Sequence, residues 1–578
     1  MRRHGLHVLR GGVFIALLIG APAYAQLNLV GEWAGRYHED QGDRVPGDIQ
    51  GDFAGVPINE AGRRYAEVYD VRRVNLLEHQ CQPYNLAHIY RGPLQFRIWE
   101  EKHPATQEII AYKIYIGTYQ QYRTIWMDGR PHPPDYAPHT FMGFSTGKWN
   151  GDVLTVRSTH IKKEFLRRSG IPNSDLTTVV EHFIRHGNLL SHVMIITDPV
   201  YLSEPYVNSQ EFALMERGNQ NWLYNCEYVM EVPMDQTKVP HYLPGAAPFA
   251  EDFSKKFGLP LAAVWGGAPS TYPEFLPRLT SGAPLPVPRD TAPSPARPAS
   301  RDIRTEIETV HVQGNVYLLV GAGANIAVQI GDEGVLVVDT GAAAMREKVL
   351  AAIRKLSTKP IRWIINTSAD VDHSGGNETV SQAGQTVNGN PAAIVAHEGV
   401  LARMTETSRP ITERPLNTYF EDARDFSFNG EAVMLYHPGD GHTNGDSFVY
   451  FRGSDVLVAG DLFLTTTFPV IDAQSGGGLD GFIAGLNKML SIAVPKYLQE
   501  GGTYVIPGHG RIGDEADIVE YRDMVVIIRD RIQDLVKRGM TLDQVKAARP
   551  SLDYDSRYGA ESGARFVEAV YKILSEKK

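Results

Sequence analysis

Cysteine is nearly absent from this chain: Cys81 and Cys226 are the only two in 578 residues. Two are too few for a disulfide scaffold or a zinc module built from cysteine, so any metal chemistry has to use carboxylates and imidazoles. An excess of positive charge is also missing, with 57 Lys and Arg against 67 Asp and Glu and a net charge of −10. A general nucleic-acid binder would show the opposite balance. Long apolar runs are lacking too; residues 13–19 (VFIALLI) are too short to span a bilayer. The 55 Gly and 36 Pro follow no Gly-X-Y period, which excludes collagen. The chain does have the hydrophobic content of a globular protein, at 43%, with 21% charged residues, so wholesale disorder is excluded. Its length implies about two to four domains.

Arg2, Arg3 and Arg10 flank the short apolar run, and Ala23 and Ala25 occupy the small-residue positions that a signal peptidase reads. This predicts a leader over 1–25, cleaved after Ala25. A membrane anchor fits less well, because Pro22 and the small residues follow at once. Loss of three Arg and no acid takes the net charge from −10 to −13. The mature chain is expected in the periplasm or secreted, with no membrane anchor and no nucleic-acid partner. In that oxidising setting Cys81 and Cys226 form one disulfide or remain buried thiols, and the sequence leaves both open.

Residues 269–300 carry nine Pro and little periodic apolar pattern. They read as an extended, semi-rigid linker between two parts. The first part, 27–268, reads as mainly β. Residues 109–118, 153–158, 177–184 and 189–196 are β-branched or aromatic runs bounded by turn residues, and Trp149-Asn150-Gly151-Asp152 marks a hairpin. Its opening Gly31-Glu32-Trp33 is similar to the start of lipocalin-like barrels. Phrases such as RTIWMDGRPHP and GFSTGKWNGD resemble an uncharacterised bacterial secreted domain with no known chemistry. The second part, 301–578, alternates strands (316–320, 326–330, 335–338, 361–365, 433–436, 448–451, 456–458) with a helical stretch at 342–357 and an amphipathic helix, apolar on one face, marked by Ile518, Tyr521, Val525, Ile528, Ile532 and Leu535. That is an α/β layer pattern.

Four segments of this second part each follow a predicted strand: Asn366 to Asn377 (NTSADVDHSGGN), Pro438 to Asp446 (PGDGHTNGD), Ala459-Gly460-Asp461, and Pro507-Gly508-His509-Gly510. They place Asp and His on strand-end loops, where open α/β folds build sites. Carboxylate oxygen mixed with imidazole nitrogen suits Zn²⁺ and its first-row neighbours.

With these segments and Val337-Val338-Asp339-Thr340-Gly341, residues 301–578 resemble the metallo-β-lactamase superfamily. The resemblance implies an αββα sandwich with metal at one edge of the two sheets. The usual first motif, His-x-His-x-Asp-His, is uneven here. Position two keeps Asp372, His373, His509 and the bridging Asp461. Position one keeps His442 and Asp461, while Ser368 and Asp370 stand where the family has His. Three readings follow. One ion at position two activates water, with Asp370 or Asp461 as general base and His442 placing the substrate. Alternatively both positions fill, Asp370 serving as a harder ligand that suits Mn²⁺ or Fe²⁺ as well as Zn²⁺. In the third, the site is degenerate. The first is preferred because position two is complete. The function expected is hydrolysis of a small amide, lactam, lactone or ester by a zinc-dependent enzyme; the alternative is a degenerate domain joined to a β-rich module that binds a small ligand. Oligomeric state is open.

Other candidates are weaker. Asp440 reads as a turn residue, His397 as a helix start, and His437 as structural. Asp339 reads as a residue that orients ligands. Phe463, Phe468 and Ile471 belong to a core or a pocket wall, and 474–478 to a mobile Gly-rich connection or a substrate loop. His132, Asp135 and His139 match no trusted ligand spacing.

Overall fold

The computed structural model describes residues 28–36, 50–92, 95–215, 226, 237–249, 251–283, 302–495 and 502–576. The expected leader over 1–25 and residues 284–300 of the Pro-rich segment lie outside the described residues.

Alternating buried and partly exposed side chains shape the N-terminal strands, as a sheet with one covered face requires. The chain order is β1 (Gly31–Gly35), β2 (Phe96–Lys102), β3 (Ile109–Ile116), β4 (Gln121–Trp126), β5 (Phe144–Asn150), β6 (Val153–Thr159), the small hairpin β7 (Glu164–Arg167) and β8 (Ile171–Asn173), then β9 (Thr178–His186), β10 (Leu189–Thr197) and β11 (Tyr206–Leu214). Nine of them close a barrel in the order β1-β11-β10-β9-β6-β5-β4-β3-β2. Among the described strands of this barrel, only β4 and β5 pair in parallel. In β10, Leu190, His192, Met194 and Ile196 are the buried set. The interior is filled. Arg123 donates to Glu181 Oε1 (2.9 Å), Ser158 Oγ (3.0 Å) and Tyr90 Oη (3.1 Å). His192 meets the same Glu181 at 2.9 Å and stacks on Phe183 at 4.4 Å. Trp33, Phe96 and Phe212 complete this core.

The C-terminal part forms two stacked sheets. The first holds β12 (Asp302–Gln313), β13 (Val316–Gly323), β14 (Ile326–Ile330), β15 (Val335–Val338), β16 (Ile361–Ile365), β17 (Ala393–His397) and β18 (Asn417–Tyr419) in that order. The second holds β19 (Ala423–Phe428), β20 (Glu431–Tyr436), β21 (Phe448–Phe451), β22 (Val456–Leu464), β23 (Tyr504–His509) and β24 (Gly513–Asp514). β15 is buried at all four positions, as a strand covered on both faces must be. Leu336, Val338 and Ile365 pack across to Val433, Val449 and Val458 between the sheets. The helix Arg346–Leu356 covers the outer face of the first sheet through Val349 and Ile353. Helices Leu479–Leu490, Glu515–Lys537 and Ala560–Glu576 join the core on the outer side of the second. This is the αββα arrangement.

The two parts share a core. Tyr65, Leu76, Val200, Tyr201 and Val239 pack with Phe463, Tyr521, Met524, Ile527, Tyr554 and Phe566. Around it lie buried ion pairs. Lys162 Nζ sits 2.7 Å from both Asp514 and Asp517, His79 Nε2 lies 2.7 Å from Asp523, and Arg522 donates to Glu78. Helix Glu515–Lys537 is therefore buried nearly all round, not on one face alone. The Pro-rich segment also differs from an extended linker at its start. Residues 268–281 form helical turns (Ala268–Thr271, Pro273–Phe275, Leu276–Ser281), with Pro269 and Leu279 buried. Proline is accommodated in the first turn of each, where its missing N–H costs no hydrogen bond. Cys81 and Cys226 are joined in a disulfide.

Glu164 in β7 gives this seam a pH response. Burial, helped by the nearby Glu520 and opposed by Lys163, pushes its pKa from 4.5 up to about 8. The folded state then holds a proton that the unfolded chain releases, so stability falls as pH rises from about 4.5 to about 8. Glu164→Gln is expected to flatten that fall and to raise stability at pH 8 by a few kcal/mol, on the order of the shift. Urea unfolding at pH 5 and pH 8 measures it.

Candidate metal centre

Most candidate side chains follow a strand end, whereas Asp461, expected on a loop after residues 456–458, lies within β22, which continues to Leu464. β15 is followed by Asp339, which adopts a left-handed φ of +63°. Asp is among the few side chains that tolerate this region. Its carboxylate accepts from the Thr367 N–H (2.8 Å), from Thr367 Oγ1 (2.6 Å) and from His373 Nδ1 (2.7 Å). That leaves His373 Nε2 facing Asp461 Oδ1 at 3.2 Å. β16 leads into Ser368, Asp370 and the short helical turn Val371–Ser374, which carries Asp372 and His373. β22 contributes Asp461 and β23 ends at His509.

His373, Asp461 and His509 each offer one ligand atom, and these atoms lie within 4.8 Å of one another. Asp370, His442 and Asp461 form a second such group. Asp461 belongs to both. Asp372 Oδ2 lies 3.5 Å from His509 Nε2. Asp370 Oδ2 lies 3.5 Å from His442 Nε2. Ser368 belongs to neither group; it is buried and its Oγ accepts the Asp370 N–H at 3.2 Å.

Close backbone packing holds the ligands. A Cβ on Gly508 would stand 2.2 Å from Asp461 Oδ1, so only glycine lets β23 approach β22 there. Asn325 Nδ2 donates to the carbonyls of Pro507 (2.9 Å) and Gly510 (3.1 Å), clamping the turn around His509. His442 is held through Nδ1 by Asp446 Oδ1 at 3.3 Å, and Asp446 also accepts from Thr443 N–H and Oγ1.

The electrostatics call for positive charge. Burial disfavours a charged His373, but the Asp461 and Asp339 carboxylates outweigh it and hold its pKa well above 6.5. His442 is likewise opposed by burial, yet Asp446, Asp461 and Asp370 push it up to about 9. Burial would raise the pKa of Asp461, but His373, His509 and His442 hold it far below the usual carboxylate range. Mixed imidazole and carboxylate donors around one shared Asp fit a divalent first-row ion, and the anionic surroundings favour it.

Other sequence candidates fall elsewhere. Asp440 is exposed and lies in neither group. His397 caps the helix Glu398–Glu406 and stacks on His437 at 3.7 Å. His132 bonds Thr146 and Thr159, and Asp135 pairs with Arg304. Phe463, Phe468 and Ile471 are core residues. The Gly-rich stretch 474–478 is pinned rather than loose. Asp472 N–H donates to the His442 carbonyl (2.9 Å) and Gly478 N–H to that of Gly441 (2.9 Å), while a Cβ on Gly477 would stand 2.1 Å from His442 O. Its glycines provide close approach. Sequence reading missed Asp446, Thr367, Asn325 and Arg403. Asp446, four residues after His442 in the same motif, is the one a local pattern could have flagged.

The two-sheet sandwich thus brings His and Asp side chains from separate segments into two donor groups. Residues 310–509 match the model of the metallo-β-lactamase superfamily. Among curated relatives, a type 2 metallo-β-lactamase of Bacillus cereus is 21% identical over 31% of this chain and 64% of its own length. The 2,4-dinitroanisole O-demethylase subunit alpha of a Nocardioides strain is 29% identical over 27% of this chain and 46% of its own. The chain thus spans under two thirds of either. Among solved structures, a metallo-β-lactamase from Pontibacter korlensis matches with 21% identity, covering 38% of this chain and 99% of that one, at a TM-score of 0.32. Members of the superfamily are generally metal-dependent hydrolases, often of zinc.

Proposed function

We propose that this protein is an exported, metal-dependent hydrolase of a small amide, lactam, lactone or ester. The observation that carries the reading is Asp461, shared by two convergent groups of donors at the strand ends of a metallo-β-lactamase fold. Asp372, His373, Asp461 and His509 would hold the ion, with His442 and Asp370 beside it. A bound divalent ion supplies a Lewis acid and makes water acidic enough to serve as a nucleophile near neutral pH.

The protein's own groups divide the remaining work. Asp461, kept ionised by three imidazoles, serves to hold rather than to take protons. Asp370, about a quarter exposed, is the carboxylate that an incoming substrate reaches, which makes it the proton acceptor. His442, fixed by Asp446, orients the substrate from the other side. The barrel, its interior filled around Arg123, Glu181 and His192, has the role of a scaffold and not of a ligand cage. Export is supported by the leader-like 1–25 and by the Cys81–Cys226 bond.

The test is metal content of the purified chain together with turnover of chromogenic β-lactam, lactone and ester substrates, with and without chelator. Bound metal and chelator-sensitive turnover are expected. Metal-free protein that turns over none of the panel would overturn the reading.

A further inference from the structure

Ser368 and Asp370 replace two imidazoles at position one, and the structure shows what stands beside the change. Arg403, on the helix Glu398–Glu406, brings Nη2 to 3.3 Å from Asp370 Oδ1 and to 3.3 Å from Asp472 Oδ2. Its Nη1 is buried with no hydrogen-bond partner among the described residues. The other oxygen of Asp370 faces His442 Nε2 at 3.5 Å. Asp472 is itself fixed, since its N–H donates to the His442 carbonyl and its side chain caps the turn Ala473–Ser475. The guanidinium is thus wedged between one candidate ligand and the loop that secures another.

A guanidinium keeps its proton at any physiological pH. In contact with Asp370, it balances the negative charge that an Asp brings to a position otherwise neutral, and it repels a dication from the same carboxylate. The remaining donors at position one are His442 and Asp461, and Asp461 is already committed to His373 and His509. At position two His373, Asp461 and His509 converge, with Asp372 beside His509, and no such cation stands against them in the described contacts.

We propose that Arg403 stands in for a second metal ion, giving a one-metal centre in which Asp372, His373, Asp461 and His509 hold the ion and the Arg403–Asp370 pair fills position one. This rests on the metal-centre reading above. Arg403 is then a positioning residue that sets the number of metals and holds Asp370 toward the substrate.

The test is titration of the full chain, stripped of metal, with Zn²⁺ and Co²⁺, following bound metal per chain and the visible Co²⁺ spectrum. Wild type is expected to take one equivalent tightly, with a second bound at least about 100-fold more weakly. Arg403→Met is expected to tighten the second equivalent by about tenfold or more and to add a second set of Co²⁺ bands. Arg403→Lys, which keeps the charge, is expected to stay at one. Two equally tight equivalents in wild type, or an Arg403→Met protein that stays at one, overturn the proposal. No binding at all overturns the metal centre itself, so the two failures are distinct. The wild-type titration decides by itself if Arg403→Met does not fold.

Discussion

Asp461→Asn is expected to remove divalent-metal binding from both donor groups at once and to take hydrolysis to background. Asp461 is the only residue the two groups share, and its neighbours His373, His442 and His509 all face it. Loss of an outer partner of a metal ligand typically costs about 10–100-fold in affinity, and loss of a direct ligand should exceed that. Asn has the same shape, so the tight approach of Gly508 to this side chain is preserved. Asp370→Asn supplies the contrast. It leaves Asp372, His373, Asp461 and His509 in place, so the first metal equivalent should stay while turnover falls by roughly 10²–10⁴-fold, the usual worth of a general base. Metal titration and steady-state kinetics on both variants separate the roles. An Asp461→Asn protein that retains metal with wild-type affinity would show that the centre lies elsewhere.

Asp175→Ala is expected to cost about 3–5 kcal/mol of stability, the usual consequence of removing one member of a buried ion pair. Asp175 lies between β8 and β9, on the barrel side, and is buried. It accepts from Arg557 Nη2 at 2.7 Å and Arg511 Nη2 at 3.0 Å. Its removal leaves the buried Arg557 without its carboxylate and Arg511 with Asp517 alone. Burial alone would raise its pKa, but Arg557 and Arg511 hold it well below 3.8. Its contribution is therefore complete above pH 3.8 and is lost as pH falls through the lower folded value. The variant should lose most stability near neutrality and progressively less in acid, which denaturant unfolding across pH measures. The effect should also reach the centre. Arg511 is two residues beyond His509, its N–H donates to Thr465 Oγ1 at 2.9 Å, and Thr465 N–H donates to the His509 carbonyl at 3.2 Å. Weaker metal binding in a still-folded Asp175→Asn protein would trace that route.

Much of the geometry of the candidate centre could be read from sequence because most of its donors lie in short segments directly after strands, Asp461 within β22 being the exception. The apolar runs at 326–330, 335–338, 361–365 and 448–451 coincide with β14, β15, β16 and β21. In the barrel, runs of alternating side chains marked β3, β6, β9 and β10, but not the closure of β1 onto β11, which joins residues nearly 180 apart. Arg403 was hidden because it reaches Asp370 from a separate helix and a lone Arg on a helix normally faces water. The polar face of Glu515–Lys537 misled in the same way. Glu520, Arg522 and Asp523 are the residues an exposed face would carry, yet they are matched by Lys163, Glu78 and His79 of the other part. Local periodicity reports one covered face, and only the second part explains why the opposite face is covered too.

The ion pairs across this seam should also constrain inheritance. A metallo domain that stood alone would expose Arg511, Arg522 and Arg557 without Asp175 and Glu78, along with the rings of Tyr521 and Tyr554. Descendants that lost the barrel would have to change these positions together, and descendants that kept it would have to keep them together. Positions 175, 511 and 557 should therefore drift in concert among two-part relatives, and their joint identity sorts such relatives from single-domain ones without reference to any metal ligand.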